Sequence, residues 1–396
     1  MPMTSETTVT TDAESASSFR TGEVLLISLC HFVHDVYSSF LSPLLPLLIE
    51  KLSLSLTRAG LLSTVMQLPA LINPFIGVWA DRISVRWFII LAPSLTAVPM
   101  SLLGLAPNYS VLLILLFFVG ISTSLFHVPA PVMVAKLSGP YKGRGMSFFM
   151  VGGEFARTLG PMAAVAAVAL MGLEGFYPIM LFGLASSVWL YIKFKDVPIH
   201  IENQAPVSLK DTAKEISGVM LPLAGILFAR GLMHASIVTF LPTYITQQSG
   251  ELWLAGISLA LVEGAGVIGV MTAGPLSDFF GRRKVLLVCL ISAPILLLVF
   301  IQFDNWLRFP ALILTGFTLL STTPVMLAMV QEHSISSPAA ANGILMMISF
   351  TARSVVVIVV GIIADRIGLQ NTYLLSAALG FLGIPFIFML PERVKQ

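Results

Sequence analysis

Long apolar runs follow one another along almost the whole chain, and only short polar stretches separate them. A helix that crosses about 30 Å of hydrocarbon needs about 20 apolar residues, which is the length of these runs. Strands of a membrane barrel are shorter and alternate apolar with polar side chains, so they do not fit. The pattern predicts about twelve membrane-spanning helices, over residues 23–48, 57–80, 86–106, 109–137, 144–171, 175–195, 218–247, 253–278, 284–303, 307–332, 339–364 and 371–390.

The composition identifies lipid as the main solvent. Hydrophobic residues make up 56% of the chain and charged residues 11%, with a mean hydropathy of +0.92, whereas soluble proteins carry about 25% charged residues. We therefore expect an all-α membrane protein. Its two cysteines, Cys30 and Cys289, fall inside predicted spans without metal-type spacing, so we interpret them as small apolar side chains.

Basic residues are unevenly distributed between the two ends of the predicted helices. Cytoplasmic loops of membrane proteins hold an excess of Lys and Arg. With the N-terminus inside, fifteen such residues face the cytoplasm and four face outward. This predicts a bacterial inner-membrane protein with both termini in the cytoplasm. The net charge of +2 then reflects topology, and no nucleic-acid partner is expected.

Two polar segments divide the chain. Residues 1–20 are rich in Ser and Thr and lack a basic start, which predicts a disordered cytoplasmic tail rather than a secretory signal. Residues 197–217 predict a cytoplasmic linker. The linker separates an N-terminal bundle of six helices, residues 21–196, from a C-terminal bundle of six, residues 218–396.

The two halves repeat each other at a shift of about 196 residues. Pro46 then aligns with Pro242, Gly60 with Gly256, and Ala156-Arg157-Thr158 with Ala352-Arg353-Ser354. Parallel repeats related by an axis along the membrane normal place a substrate site near the midplane, between the halves.

Two loop motifs resemble a signature of the major facilitator transporters, G-x-L-A-D-R-x-G-R-R. One begins at Gly77 and the other at Gly274, and both are predicted to be cytoplasmic. The resemblance implies a cytoplasmic gate, formed by Gly77, Asp81, Arg82, Gly274, Asp278, Arg282 and Arg283. A third, similar stretch over residues 361–368 is predicted to face outward, where it is either a gate contact or a helix end.

Within this superfamily the chain resembles the fosmidomycin-resistance-like exporters. The resemblance rests on His31-Phe-Val-His34-Asp35 with Pro43 and Pro46, on Phe126-His127-Val-Pro129, and on Gly152-Gly153 with Gly160-Pro161. It covers most of the first half and implies the major facilitator fold.

Ionisable side chains within predicted spans are the main candidates for function, because each costs about 2.5–3.5 kcal/mol to insert at a helix centre. There are ten, namely His31, His34, Asp35, His127, Glu154, Arg157, Arg230, His234, Glu263 and Arg353. Helical spacing puts His31, His34 and Asp35 on one stripe, and it pairs Glu154 with Arg157 and Arg230 with His234. We expect these stripes to line a cavity, with Asp35 facing Arg230 across the pseudo-axis.

Asp35, His31 and His34 are predicted to couple transport to protons, and the other seven residues to bind substrate. Alternative roles remain for three of them. Glu154 could simply neutralise Arg157, Glu263 could be a bond between packed helices, and His127 could bind a carbonyl freed by Pro129 and Pro131.

The leading hypothesis is a secondary transporter that exports a small organic solute, anionic or amphipathic, in exchange for protons by alternating access. Proton-coupled uptake is an alternative. A divalent-metal transporter is another, because His31, His34, Asp35 and His127 offer nitrogen and oxygen ligands. An enzyme is disfavoured, because the chain lacks a nucleophile motif, a nucleotide-binding loop and a soluble domain. No cofactor is expected, and the partners would be the solute, protons and the bilayer, with the protein a monomer.

Overall fold

The computed structural model describes residues 19–73, 86–195, 209–303, 306–333 and 338–391, and in these ranges the regular elements are all helices. Eight described α-helices belong to the first half: α1 Thr21–Ser38, α2 Leu41–Leu52, α3 Leu56–Gln67, α4 Arg86–Ser101, α5 Tyr109–His127, α6 Pro129–Leu137, α7 Lys142–Met171 and α8 Met180–Phe194. The α-helices that follow are α9 Leu209–Glu215, α10 Ser217–Ser249, α11 Leu252–Phe280, α12 Arg282–Gln302, α13 Arg308–Glu332, α14 Pro338–Gly380 and α15 Ile384–Met389.

Ten segments of the described chain are long and apolar enough to cross a membrane, and Leu56–Ile72 is a shorter apolar helix. One of the ten, Met347–Met389, breaks at Gly368, where φ is 79°, so it contains two passes. The predicted all-α membrane fold of about twelve helices in two pseudo-symmetric bundles is confirmed. Residues 74–80 of the predicted second span lie outside the described residues.

The first span consists of two helices rather than one. Helix α1 ends at Ser38 and α2 begins at Leu41, although residues 23–48 form a single apolar run. Pro43 accounts for the break, because it has no N–H to donate to the carbonyl of Ser39 and its ring crowds that carbonyl. The hydroxyl of Ser39 donates to the carbonyl oxygen of Asp35 at 2.8 Å. Asp35 therefore lies one turn before a break in its helix.

The two bundles meet along pairs of helices that the internal repeat relates to each other. A Cβ at Gly60 on α3 would lie 2.9 Å from the carbonyl oxygen of Val357 on α14. In the other half, a Cβ at Gly256 on α11 would lie 2.9 Å from Cγ2 of Val165 on α7. Gly60 and Gly256 are the pair that the sequence repeat aligns. Glycine permits this close approach because the neighbouring backbone occupies the space of a side chain.

Asp365 joins the bundles at the end of α3 that is predicted to face outward. Its carboxylate accepts the backbone N–H groups of Leu56 and Thr57 at 2.7 and 2.9 Å, and the Thr57 hydroxyl at 2.5 Å. The first N–H groups of a helix lack partners within it and carry partial positive charge, so a carboxylate stabilises them. The stretch 361–368 thus makes a contact between bundles and also breaks the helix, at Gly368.

Replacing Asp365 with Ala should weaken the contact between α3 and α14. Loss of a helix cap costs about 1 kcal/mol, which corresponds to about a fivefold change in an equilibrium. The probe is a cysteine introduced by Ser354→Cys in a background that carries Cys30→Ala and Cys289→Ala. We expect an impermeant maleimide added from outside to label this cysteine about fivefold faster in Asp365→Ala than with Asp365 intact. Arg366→Gln, next to Asp365 on the exposed surface, is the matched control and should leave the rate unchanged. An unchanged rate in Asp365→Ala would contradict the role of this contact.

Candidate proton and substrate site

Three histidines surround the carboxylate of Asp35. His31 Nε2 lies 3.2 Å from Asp35 Oδ2, and His127 Nε2 lies 3.1 Å from Asp35 Oδ1. The third, His34, has its Nε2 3.8 Å from Oδ1. His31 and His34 are buried, and the side chains of Asp35 and His127 are 14% and 35% exposed. The spacing prediction for α1 therefore agrees with the structure, which adds His127 from α5.

Hydrogen bonds to other helices hold the two buried histidines in place. His31 Nδ1 lies 2.8 Å from the carbonyl oxygen of Phe149 on α7. His34 Nδ1 lies 3.0 Å from Thr96 Oγ1 on α4. Thr96 in turn donates to Ser122 Oγ at 2.7 Å, and Ser122 donates to the carbonyl of Ala92 at 2.9 Å. Thr96 and Ser122 were missed at the sequence level, because isolated hydroxyl residues in apolar helices usually bond to their own backbone.

Gly153 on α7 covers the contact between His31 and Asp35. A Cβ there would lie 2.8 Å from His31 Nε2 and 3.3 Å from Asp35 Oδ2. Gly152 and Gly160 are also closely packed, since their Cβ positions would lie 2.4 Å from Ser28 O and 2.6 Å from Ser39 Cβ. The glycines of the fifth span thus bring α7 against α1 around the site.

Glu154 and Arg157 form an ion pair on α7, as their spacing predicts. Arg157 remains half exposed, with 51% of its side chain accessible, whereas Glu154 is mostly covered. The charge of Arg157 also acts on Glu263 of α11 and on Asp35. The pair is therefore more than a local neutralisation, because it lies between the histidine cluster and the C-terminal bundle.

Arg230 on α10 does not face Asp35, and that expectation was wrong. Its guanidinium donates to Leu319 O at 2.9 Å, to the hydroxyl of Thr322, and to Thr323 Oγ1 at 3.3 Å. All three acceptors belong to α13, so Arg230 is satisfied inside its own bundle. The helical period alone could not give the rotation of α10 that directs this side chain to α13.

Arg353 on α14 makes a cation–π contact, with its guanidinium carbon 5.2 Å from the ring centre of Phe350. The charges of Arg157 and Glu263 act on it. Glu263 is buried, with 8% of its surface exposed. His234, one turn after Arg230, is within the electrostatic influence of Arg230, Arg353 and Arg157. The structure therefore gathers the predicted binding residues, except His127, into a second group on α7, α10, α11 and α14.

Of the described residues, His31, Asp35 and His127 form the one group that could hold a metal ion. Their ligand atoms lie within 4.8 Å of one another. The 3.1 Å contact of His127 Nε2 with Asp35 is a hydrogen bond, which requires no ion. His31 Nε2, 3.2 Å from Asp35 Oδ2, has no hydrogen-bond partner.

Arg282 organises the cytoplasmic motif of the second half. Helix α11 ends at Phe280, the chain turns at Gly281 with a φ of 98°, and α12 begins at Arg282. The Arg282 guanidinium lies 2.5 Å from Asp278 and 2.9 Å from Glu332 on α13, and it also bonds to Ser277. Arg282 therefore ties the turn between α11 and α12 to α13. Gly77, Asp81 and Arg82, the matching residues of the first half, lie outside the described residues.

Two repeated bundles of membrane-spanning helices that carry ionisable side chains within the spans are typical of a membrane transporter. The chain belongs to the Major Facilitator Superfamily, whose model matches residues 27–272 and 253–396. The fold and the family are those of transporters rather than enzymes.

Several known proteins resemble the chain over most of its length. It is 26% identical over 394 residues to the fosmidomycin resistance protein of Escherichia coli (strain K12), covering 97% of both chains. An uncharacterised MFS-type transporter of Bacillus subtilis (strain 168), YfnC, is 24% identical and matches 94% of this chain and 93% of its own. The multidrug resistance protein MdtG of Salmonella typhimurium is 27% identical, over 67% of this chain and 69% of its own.

Solved structures show the same fold. A bacterial homologue of the human lysosomal transporter Spinster, inward-facing and occupied, has a TM-score of 0.82 at 14% identity and covers 93% of this chain and 96% of its own. A D-xylose–proton symporter has a TM-score of 0.75 at 14% identity, over 96% and 100%.

Replacing Gly153 with Ala should disrupt the cluster, because the added methyl group would occupy the space next to His31 Nε2 and Asp35. Overpacking of this kind typically costs about 1–3 kcal/mol. We expect a lower thermal unfolding temperature in detergent and loss of transport. Gly218→Ala, whose Cβ would meet nothing within 4 Å, is the control and should behave as the unmodified chain. If Gly153→Ala transports normally, α7 does not pack tightly on the working site.

Proposed function

We propose that this chain is a proton-coupled exporter of a small anionic organic solute, which acts by alternating access in the inner membrane. The observation that carries the proposal is the buried histidine–aspartate cluster beside a group of three arginines. Ionisable groups at membrane depth mark proton relays and substrate paths. The cluster, His31, His34, Asp35 and His127, is assigned to the proton, and the arginine group is assigned to the solute.

Positive charge exceeds negative charge in the arginine group, which supports an anionic solute. Glu154 neutralises Arg157 within α7. Arg230 has neutral hydrogen-bond partners, and Glu263 is the one carboxylate whose charge acts on Arg353. Buried guanidinium groups without carboxylate partners are costly unless a ligand supplies the charge. A carboxylate, phosphate or phosphonate would do so with forked hydrogen bonds.

Export is supported by what the similar proteins are called. Two of them are named a fosmidomycin resistance protein and a multidrug resistance protein, and fosmidomycin belongs in the first panel of compounds to test. Import of the solute together with protons remains the alternative. A proton bound beside Arg157 makes the site more positive and thus favours binding of the anion. Antiport requires in addition that the protonated state opens to the other side and releases the anion.

The contacts of Asp365 and of Gly60 and Gly256 support a state closed toward the outside. They join the bundles along the helix ends that are predicted to face outward. The cytoplasmic motif would close the opposite side in the other state. A contact made in one state shifts the equilibrium by its own free energy.

Divalent-metal transport has one observation in its favour, the convergence of His31, Asp35 and His127. Metal transport explains neither the arginine group nor the excess of positive charge in that group. Transport assays that include Zn²⁺ and Mn²⁺ as solutes distinguish this alternative from organic anions.

Replacing Asp35 with Asn should abolish proton-driven transport, because the amide cannot stabilise a bound proton by charge. Exchange of solute across the membrane should persist, since the arginine group is intact. Liposomes containing the purified protein and a pH-sensitive dye report the proton flux, and radiolabelled solute reports the exchange. Glu23→Gln is the control. It breaks an exposed ion pair with Arg20 at the start of α1 and should leave the proton flux unchanged. Normal proton flux in Asp35→Asn would rule out the assignment.

Arg353 tests the anionic solute. Loss of a charge-assisted hydrogen bond costs about 1.5–3 kcal/mol, so Arg353→Gln and Arg353→Ala should bind solute about 10- to 100-fold more weakly. Arg353→Lys keeps the charge and should lose less. Arg308→Gln, which removes a bond to Gln248 far along α10, is the control. Equal affinity in all three Arg353 variants would remove Arg353 from the site, and a cationic solute would overturn the assignment of the whole group.

A further inference from the structure

The hydrogen bonds of His31 determine which of its ring nitrogens carries a proton. A carbonyl oxygen can only accept, so the 2.8 Å contact with Phe149 O requires a proton on His31 Nδ1. When this imidazole is neutral, its Nε2 therefore carries a lone pair. Nε2 has no hydrogen-bond partner, and Asp35 Oδ2 lies 3.2 Å from it.

His34 is fixed as the same tautomer by a chain of hydroxyl groups. Ser122 gives its one proton to Ala92 O, so its oxygen must accept from Thr96. Having donated its proton, the Thr96 hydroxyl can only accept from His34 Nδ1. The Nε2 of His34 is then unprotonated and lies 3.8 Å from Asp35 Oδ1, beyond hydrogen-bond distance.

His127 is under no such constraint. Its Nε2, 3.1 Å from Asp35 Oδ1, can carry the single proton of a neutral ring and donate it to the carboxylate. The contact between His127 and Asp35 therefore needs no added proton.

The contact between His31 and Asp35 is different. His31 Nε2 is buried without a hydrogen-bond partner, 3.2 Å from Asp35 Oδ2. An unprotonated Nε2 and a carboxylate oxygen at this distance repel each other, whereas a proton on Nε2 turns the contact into an ion pair. An isolated imidazole has an ordinary pKa of about 6.5 and a carboxyl group one of about 3.9, so a proton shared by the two resides mainly on the imidazole.

We propose that His31 takes up and releases the coupling proton at Nε2, that Asp35 is its counter-ion, and that Thr96 and Ser122 position His34 as a neutral ring. The inference rests on the proposed proton coupling and changes which group carries the proton. His31 is 4% exposed, so the proton enters through the partly exposed side of Asp35 and His127 and passes from the carboxylate to Nε2. Gly153 covers this contact from α7.

The ionisable groups around the contact are few among the described residues. His34 lies on the same helix, His127 comes from α5, and Glu154 and Arg157 come from α7. Helix α4 contributes the hydroxyl of Thr96. From the C-terminal bundle, Glu263 and Arg353 act on Arg157.

Nitrogen NMR of the protein in lipid vesicles tests the protonation state directly. Carbonyl-¹³C cysteine with ¹⁵N-histidine selects His31, because Cys30-His31 is the one Cys–His pair in the sequence. We expect both ring nitrogens of His31 to be protonated at neutral pH, and Nδ1 alone at high pH. In Asp35→Asn the ring should be neutral at neutral pH. A His31 ring that is neutral in the unmodified protein, or protonated at Nε2 alone, would overturn the proposal.

Proton flux in liposomes tests the same proposal by function. The amide of His31→Gln can donate to Asp35 but cannot take up a proton, so solute-driven proton flux should fall to that of empty liposomes while solute exchange continues. His333→Gln, at the end of α13 and bonded to Met329 O, is the control. Persistent proton flux in His31→Gln means that Asp35 itself titrates, which overturns this inference and leaves the proposed function intact. If the unmodified protein moves no protons, the proposed function fails, whatever NMR shows for His31.

Thr96 is tested as a positioning residue by a pH titration. Thr96→Val removes the acceptor of His34 Nδ1, which frees the ring to adopt the other tautomer. With its proton on Nε2, 3.8 Å from Asp35 Oδ1, the ring can move into hydrogen-bond distance and make the carboxylate a weaker counter-ion. The pH at which His31 loses its Nε2 proton should then fall, and Thr96→Ser should restore it. An unchanged midpoint in Thr96→Val would show that Thr96 has only a structural role.

Discussion

The carboxylate of Asp35, held inside a helix that is otherwise mostly apolar, is the constraint on which the site depends. An ion in hydrocarbon must be satisfied by neighbouring groups, because water is absent there. Helix α1 supplies two imidazoles and α5 supplies a third, while α4 and α7 hold the two buried rings by their far nitrogens. Four helices are thus fixed relative to one another by a single charge. The glycines of α7 follow from the same requirement, since a side chain at Gly153 would separate His31 from Asp35.

The repeat makes the two halves alike in their packing and different in their chemistry. Gly60 and Gly256 serve the same purpose in related helix pairs. At the repeat position where the first half has His34, the second half has Arg230, and its partners are neutral acceptors on α13. At this position one bundle therefore holds an imidazole beside a carboxylate, and the other holds a permanent positive charge. Asp365 adds a second asymmetry, since it caps α3 from the opposite bundle.

The sequence was sufficient where local geometry decides the outcome. The length of the apolar runs predicts the helices, and the helical period predicts the stripe of His31, His34 and Asp35 and the pair of Glu154 with Arg157. Contacts between helices depend on how each helix is rotated about its axis, which an apolar helix does not reveal. The expected contact of Asp35 with Arg230 was wrong for this reason. The approach of His127 to Asp35 was anticipated only within the alternative of a metal site, and the bond of Asp365 to Leu56 was not foreseen. Thr96 and Ser122 gave no signal, because single hydroxyl residues are common in membrane helices.

Helix α7 connects the two groups of charges. This helix covers the contact of His31 with Asp35 by Gly153, and the next residues on its inner face are Glu154 and Arg157, whose charges reach the C-terminal bundle. Arg157 interacts electrostatically with Asp35, so in the proposed mechanism a change of charge in the histidine–aspartate cluster would act on Arg157 directly and through any movement of α7 against α1. Packing this close is discrete rather than continuously deformable, so a change at one face of α7 requires a matching change at the other. The glycines that permit close contact therefore also make α7 the element through which, in that mechanism, a proton on one bundle would rearrange the contact with the other.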